Sequence, residues 1–421
     1  MSQNVCIVGL SDLGRSPRFQ YHCISLAREG FHVDVVAYKG AKPKKALTDH
    51  KNVNLKYLPS VPDLNKYFPR ILAYGFKVIW QSLTLLCCLL FNRRPHYVLT
   101  ETPPALPVFA IVWFYCLVAR CKFIIDWHNY AYSIMALTLG EGSPLVQISY
   151  WFESFFGKKA HANFCVTSAM KNDLKNRWAI EADVLYDRAP EHFRRATVEE
   201  KHRLFTRLAQ CYPVLGGPLH KTAFTEIING ETRLQPDRPG LLVSSTSWTE
   251  DEDFNILLSA LIEYDKSERE SLPVLFCVIT GRGPLKEYYT EIIQGTEWNR
   301  VKILTPWLED EDYPLLLGSA DLGVSLHTSS SGVDLPMKVV DMYGCSLPVL
   351  AMDFNCVSEL VRHGENGYVF KDQHELTNQL LDWFSNFPDN GRPDLQKNIE
   401  NFQKVRWHEN WVRHALPVFQ K

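Results

Sequence analysis

Four short stretches carry residue types that chemistry can use. The first lies at 9–18, where Asp12, Gly14, Arg15, Ser16 and Arg18 follow an apolar run. Glycine lets backbone approach a phosphate, a following helix start offers N–H groups, and arginine brings a forked donor that matches phosphate oxygens. The stretch is neither a GxGxxG fingerprint nor a Walker motif, and a plain turn with solvated arginines is the alternative reading. The second is Asp126-Trp127-His128-Asn129-Tyr130, at the end of another apolar run. Histidine serves as a base near neutral pH, and a carboxylate does so where its surroundings raise its pKa. Glu101, in Glu101-Thr102-Pro103-Pro104, is a third candidate base. A hydrogen-bonded loop is the alternative here.

The third stretch is Gly281-Arg282-Gly283-Pro284. Alone it reads more readily as a β-turn than as a phosphate site. The fourth is the richest: His327-Thr328-Ser329-Ser330-Ser331-Gly332 leaves an apolar run and precedes a helix near Met337. Hydroxyls, N–H groups and a helix start then meet at one point. Lys338 lies in the first turn, within reach of an anionic phosphate. Asp341, three residues on, shares its helix face and can accept from two ribose hydroxyls. A solvated Lys–Asp pair is the alternative. The run Glu250-Asp251-Glu252-Asp253 reads most simply as a helix N-terminus, where negative charge is favoured. His363 and the other scattered histidines lack ligand spacing, so no metal site is expected.

The elements that position these stretches follow an alternating rhythm. Residues 5–10, 31–38, 96–100 and 122–126 read as strands, and 17–29 as a helix ended by Gly30. Residues 241–244, 273–280, 301–304, 322–326 and 348–351 read as further strands, with helices over 253–264, 285–293, 313–319 and 337–344. Between the halves, 191–240 has a different texture, with Gly216-Gly217 and Pro236-Asp237-Arg238-Pro239-Gly240, and reads as a connection with a helical insertion. The pattern predicts an α/β chain of two doubly wound parallel-sheet domains. Ligands in such sheets bind beyond the carboxyl ends of the strands, so a cleft between the domains is expected.

Composition narrows the class. The chain has 421 residues, 46% hydrophobic and 22% charged, with a formal net charge of -2. That is a globular protein long enough for two domains, without the basic excess of a nucleic-acid binder. Its 11 cysteines form no CxxC pair, and most lie in apolar runs, which reads as reduced thiols in a reducing compartment. No Asn-x-Ser/Thr sequon occurs. The first residues show no targeting segment. Two stretches, 71–91 and 103–119, are nevertheless strongly apolar. Each reads as a buried helix, with a helix resting on a bilayer and a true membrane span as the alternatives.

Four blocks together carry a resemblance: Asp12-Leu13-Gly14-Arg15-Ser16-Pro17-Arg18, Ile125-Asp126-Trp127-His128-Asn129-Tyr130, residues 244–253 and residues 328–341. They resemble the chitobiosyldiphosphodolichol beta-mannosyltransferase family, from the first strand to Asn366-Gly367-Tyr368. The resemblance implies a GT-B fold, two Rossmann-like domains facing each other across a cleft. Residues 1–190 would bind the acceptor, 191–240 would link, and 241–421 would bind the donor. It implies an inverting enzyme that moves mannose from GDP-mannose to dolichol-linked chitobiosyl diphosphate in a β-1,4 linkage. It places that step early in N-glycan precursor assembly, on the cytosolic face of the endoplasmic reticulum membrane.

The residue roles follow from that resemblance. Gly14, Arg15 and Arg18 would meet the acceptor's diphosphate. Asp126 and His128 would supply the base, with Glu101 next in line. Gly281, Arg282, Gly283, Ser329, Ser330, Ser331, Gly332, Lys338 and Asp341 would frame the donor. No tightly bound cofactor is implied. The helix start and Lys338 would assist GDP departure, so the chemistry requires no divalent metal. Partners would be the dolichol-linked glycolipid, a membrane surface and other early N-glycan transferases, with no nucleic acid. Retaining relatives often carry two glutamates with seven residues between them; with Asp341 as the second, the first position holds Val333, which is not acidic and fits inversion. A basic pair common after the strand at 241–244 is replaced by Trp248 and the acidic run. Members of the family usually begin with an anchor helix, whereas this sequence starts at its first strand, so attachment would use the two apolar stretches or a partner, or the natural N-terminus lies before this sequence. The competing readings are a GT-B enzyme with another nucleotide sugar or a soluble acceptor, and a silent scaffold. The apolar flank at 71–91 argues against a soluble acceptor.

Overall fold

Runs of Val, Ile and Leu bounded by Gly, Pro and charged residues condense into two parallel sheets. The computed structural model describes every residue except 1–2, 63–67, 219, 250–251, 389–391 and 421. The chain divides into two compact units, Met1–Asp187 with Trp407–Lys421, and Arg188–Arg406.

In the first unit the elements run β1 (Asn4–Asp12), α1 (Pro17–Arg28), β2 (His32–Tyr38), α2 (Lys45–Thr48), β3 (Val53–Leu58), α3 (Arg70–Leu90), β4 (Tyr97–Thr102), α4 (Val108–Ala119), β5 (Lys122–Trp127), α5 (Ala131–Leu139), α6 (Pro144–Gly157), β6 (Ala162–Cys165), α7 (Ser168–Trp178) and β7 (Asp183–Val184). The seven strands are parallel in the order β3-β2-β1-β4-β5-β6-β7. β4 is buried at every position and β5 at all but its first, as a sheet covered on both faces requires. β4 and β5 pair in register with Glu101 beside Asp126, so both carboxylates reach the same carboxyl edge.

The second unit runs α8 (Val198–Leu208), β8 (Thr225–Ile228), β9 (Glu231–Leu234), β10 (Gly240–Ser245), α9 (Phe254–Lys266), β11 (Leu275–Thr280), α10 (Lys286–Gly295), β12 (Val301–Leu304), α11 (Asp312–Leu317), β13 (Leu322–Ser325), α12 (Met337–Gly344), β14 (Val349–Met352), β15 (Tyr368–Phe370), α13 (Gln373–Phe384) and α14 (Pro393–Gln403). Its six-stranded parallel sheet has the order β12-β11-β10-β13-β14-β15, and β8 and β9 form a separate antiparallel hairpin. The last helix, α15 (Trp407–His414), returns to the first unit.

This partition differs from the expected 1–190, 191–240 and 241–421 in two places. Residues 191–240, expected as a linker with a helical insertion, contain α8 and group with the second unit. Phe205 of α8 lies 4.5 Å from Phe224, and Phe224 lies 5.3 Å from Phe276 of β11, so aromatic packing fastens the segment to the sheet. At the chain end, α15 buries Trp407 and Trp411 against α1, with Trp407 Nε1 donating to Ser25 Oγ at 3.1 Å.

The apolar stretches also differ from the buried-helix reading. α3 has the length and composition of a membrane span, yet only 22% of its Leu72–Leu90 window is buried. Leu72, Ile79 and Leu83 are each about 60% exposed. Prolines hold 103–107 outside the helix, so α4 begins at Val108. Its Val108, Phe109 and Val112 face the core, while Phe114, Leu117 and Val118 face outward. α3 packs on α4, α4 on α6, and α6 on α5. α5 and α6 add exposed Ile134, Leu137, Leu145, Ile148 and Trp151. Four helices of one unit, packed in the series α3, α4, α6 and α5, thus carry exposed apolar side chains. The one acidic residue within these helices, Glu153, is buried; beside them Glu141 is exposed, and Lys77, Arg93, Arg94, Arg120, Lys158 and Lys159 are exposed in or beside them.

Candidate functional site

The carboxyl edge of the first sheet gathers a buried charge cluster. Asp126, at the end of β5, is fully buried. Arg18 of α1 clamps it with Nε on Oδ2 at 2.7 Å and Nη2 on Oδ1 at 2.8 Å. The remaining nitrogen of Arg18 donates to Asp187 Oδ1 at 2.8 Å and to the Leu185 carbonyl at 2.9 Å. Two histidines complete the set: His22 Nε2 lies 2.9 Å and His128 Nε2 2.8 Å from Asp126 Oδ2. His128 is the accessible member, with about a quarter of its side chain exposed. Its Nε2 also lies 3.9 Å from Glu101 Oε1, a buried oxygen with no hydrogen-bond partner among the described residues.

The electrostatics assign different work to the three candidate bases. Burial alone would push the Asp126 carboxyl up. The charges of Arg18, His128 and His22 and the Arg18 hydrogen bond overcome it and hold the group well below the usual carboxylate range. A carboxylate so stabilised is a poor proton acceptor and a good orienter. Burial also disfavours the His128 cation, but Asp126 and Glu101 outweigh it and raise His128 above its ordinary value. Burial pushes Glu101 up to about 7, and the His128 charge opposes it only in part. An anionic Asp126 accepts the Nε2–H of His128, which leaves Nδ1 as the basic nitrogen.

Glu101, Asp126 and His128 each offer one ligand atom, and the three atoms lie within 4.8 Å of one another. The donor set does not suit a cation. Both Asp126 oxygens already accept from the Arg18 cation, and its Oδ2 takes both histidines as well.

This geometry corrects one expectation. Arg18 was expected at the acceptor's diphosphate, but it is 1% exposed and its donors are spent on Asp126, Asp187 and Leu185. The physical reason is the facing of α1, which turns Arg18 and His22, one helical turn apart, into the core together. Arg15 remains outside, its side chain 72% exposed, with Nε 3.4 Å from Asp12. Gly14 serves the turn: its N–H donates to Asp12 Oδ1 at 3.0 Å, and a Cβ there would come within 2.3 Å of the Ala41 carbonyl oxygen.

In the second unit, Gly281 and Gly283 press against the loop after β10. A Cβ on either would fall within 2 Å of the Thr246 or Ser247 carbonyl oxygen, so only glycine fits. Arg282 between them is exposed, with its guanidinium 3.4 Å from the Trp307 ring centroid. Lys338 donates to Glu252 Oε1 at 2.5 Å and to Ser247 Oγ at 3.2 Å. It is therefore joined to Ser247 and Glu252, not merely solvated beside Asp341, which sits half-buried one turn on. Within the serine stretch, Ser329 Oγ donates to Asp334 Oδ1 and accepts from the Gly332 N–H at 2.8 Å, Ser331 Oγ lies 3.3 Å from Ser329 Oγ, and Ser330 is half-buried beside them. Gly332 has φ +75°.

Several residues escaped the sequence reading. His22 and Asp187 complete the cluster. The signal for His22 was its spacing of four from Arg18 on one helix; nothing local marked Asp187. The acidic run splits its roles: Glu250 and Asp251 lie outside the described residues, Asp253 caps α9 through the Asn255 N–H at 3.0 Å, and Glu252 is buried as the partner of Lys338. His327, half-buried, has its Nε2 3.4 Å from Asp334 Oδ2.

Comparison with known proteins adds context. Residues 238–386 match the family described as glycosyl transferases group 1. The chain is 46% identical to chitobiosyldiphosphodolichol beta-mannosyltransferase of Homo sapiens, over 99% of this chain and 92% of that protein. It is 42% identical to UDP-glycosyltransferase TURAN of Arabidopsis thaliana, over 98% of this chain and 96% of that one. Among solved structures it is similar to Anabaena Alr3699/HepE in complex with UDP and glucose, with TM-score 0.65 at 15% identity and 99% of each chain covered. At that identity the likeness speaks for the fold, two parallel-sheet α/β domains of the GT-B class.

Proposed function

The chain belongs to the family of chitobiosyldiphosphodolichol beta-mannosyltransferases, and from that premise we propose that it moves mannose from GDP-mannose to dolichol-linked chitobiosyl diphosphate, inverting the anomeric centre to a β-1,4 bond. The observation that carries the chemical reading is His128, seated with Nε2 on a buried, Arg-clamped Asp126 at 2.8 Å. His128 Nδ1 takes the proton of the acceptor hydroxyl as that oxygen attacks the anomeric carbon. The bond from that carbon to GDP breaks, and its electron pair stays on the diphosphate. Asp126 orients the ring and stabilises the imidazolium that forms. Glu101, anionic or protonated near neutral pH, adjusts that charge.

The second unit binds the donor. Gly281, Arg282, Gly283, Ser329 to Gly332, Lys338 and Asp341 frame the diphosphate and ribose. The N-terminus of α12 has no side-chain cap, and its N–H groups with Lys338 stabilise the leaving diphosphate. The step therefore needs no divalent metal and no tightly bound cofactor. The first unit binds the lipid-linked acceptor, with Gly14 and Arg15 near its diphosphate. The face of α3, α4, α5 and α6 rests on the cytosolic leaflet of the endoplasmic reticulum, where other early N-glycan transferases work on the same glycolipid. Exposed leucines and aromatics rimmed by lysine and arginine support that placement.

The name of the Arabidopsis relative favours a second reading, in which the donor is a UDP sugar. One experiment decides between them. Purified protein is incubated with a phytanyl-linked chitobiosyl diphosphate and either GDP-mannose or UDP sugars, and product mass and linkage are read. A β-1,4 hexose added only from GDP-mannose supports the proposal. Transfer only from a UDP sugar, or no transfer from either, contradicts it.

A further inference from the structure

A chain of hydrogen bonds runs from the last helix to the proposed base. Trp411 of α15 is fully buried, and its Nε1 donates to His22 Nδ1 at 2.9 Å. An indole has a hydrogen to give and no lone pair to accept with, so His22 Nδ1 must be unprotonated. The His22 proton therefore sits on Nε2, 2.9 Å from Asp126 Oδ2. The same oxygen receives His128 Nε2 at 2.8 Å. Protonating His22 would turn an Nδ1–H against the indole N–H, so Trp411 excludes the cation by geometry. Trp407 closes the other side, edge-on to His22 at 5.4 Å and beneath the Arg18 guanidinium at 5.2 Å.

We infer that Trp411 and His22 are positioning residues: Trp411 keeps His22 a neutral N–H donor, and this sets how strongly Asp126 holds the His128 proton. The idea deepens the reading of His128 as base and rests on that reading for its consequence in catalysis. The groups that face His128 are Asp126 on β5, Glu101 on β4, Arg18 and His22 on α1, and Asp187 after β7 through Arg18. With His22 neutral, Asp126 shares its charge between one cation and two neutral rings. A cationic His22 would draw that charge away and repel a charged His128. Removal of His22 would leave more of it for His128. Burial also disfavours the His22 cation, in the same sense as the indole contact.

The two perturbations therefore have opposite signs, which a general loosening of the fold would not produce. The readout is the titration of His128 itself in the full chain, labelled with 15N-histidine and assigned by signal loss in His128→Gln. In Trp411→Phe the His128 midpoint is expected to fall by about half to one pH unit, and in His22→Phe to rise by a similar amount. His22→Gln, which offers Asp126 an amide N–H and Trp411 a carbonyl, is expected to titrate close to the parent. Should His22→Phe fail to fold, Trp411→Phe and His22→Gln carry the test. Folded Phe variants in which His128 titrates as in the parent, or moves in one direction in both, would overturn the inference, as would a His22→Gln that shifts like His22→Phe. The titration needs no substrate. Loss of the base reading, seen as full transfer by His128→Ala, would leave this result standing and remove only its catalytic meaning.

Discussion

Arg18→Met separates two roles for one residue. The substitution keeps an apolar stem and removes the bidentate pair to Asp126 and the bonds to Asp187 and Leu185. Asp126 stays buried with its cation gone. Breaking a buried pair by removing one partner costs about 3–5 kcal/mol. Domains are stable by about 5–15 kcal/mol, so the loss is a large part of what the first unit has. The cost depends on pH with a definite sign. In the parent the Asp126 pKa is held below its unfolded value, so its contribution is present above that value and lost as pH falls through the folded one. In the variant burial dominates, Asp126 is raised, and acidification relieves the penalty by protonating it. The gap between parent and variant should narrow as pH falls. Adding Asp126→Asn to Arg18→Met should recover part of the loss, because no buried charge is then left unpaired. Denaturant-dependent hydrogen exchange in peptides of β1, β4 and β5 reads the first unit separately from the second. If Arg18→Met resisted denaturant like the parent while KM for the lipid-linked acceptor rose, Arg18 would be a diphosphate ligand and the burial argument would fail.

Three further outcomes are expected. Lys338→Ala strips buried Glu252 of its cation; it should raise KM for the donor and lower the melting temperature, and adding Glu252→Gln should restore melting but not donor use. Unchanged donor kinetics in Lys338→Ala would count against a phosphate-facing lysine. Glu101 binds its proton up to about 7 when folded, against 4.5 in the unfolded chain, so its ionisation erodes stability as pH rises between those values. Glu101→Gln should therefore gain up to about 3 kcal/mol at pH 8 and nothing below pH ~4.5, read by denaturation at both pH values. Leu83→Glu with Trp151→Glu should sharply reduce flotation with anionic liposomes and leave the thermal melt unchanged; equal flotation would show that this face is not what meets the bilayer.

Much of the fold was legible because the sheets are buried on both sides. Runs such as Cys6-Ile7-Val8 and Phe123-Ile124-Ile125 have no polar alternation to confuse, and the structure has strands there and at 241–244, 301–304 and 322–325. Pro17 and Gly30 marked the ends of α1 for local steric reasons. What was hidden depends on long-range pairing. No local feature told that Arg18 would meet Asp126, 108 residues away, rather than solvent. Nor did the chain show that Trp407 and Trp411 would return to α1, nearly 400 residues earlier. The greasy stretches were recognised, but an apolar run does not say what covers it. α3 proved largely uncovered, and α5 and α6, each too short and mixed to stand out, extend its face.

The central claim is that His128 takes the acceptor proton while Asp126 orients it. The direct measurement is the single-turnover rate of His128→Asn with saturating GDP-mannose and a phytanyl-linked chitobiosyl diphosphate, beside the parent. A general base contributes about 10²–10⁴-fold, so the rate should fall by that factor with KM for both substrates little changed. A rate within a few-fold of the parent would place the proton elsewhere and contradict the account.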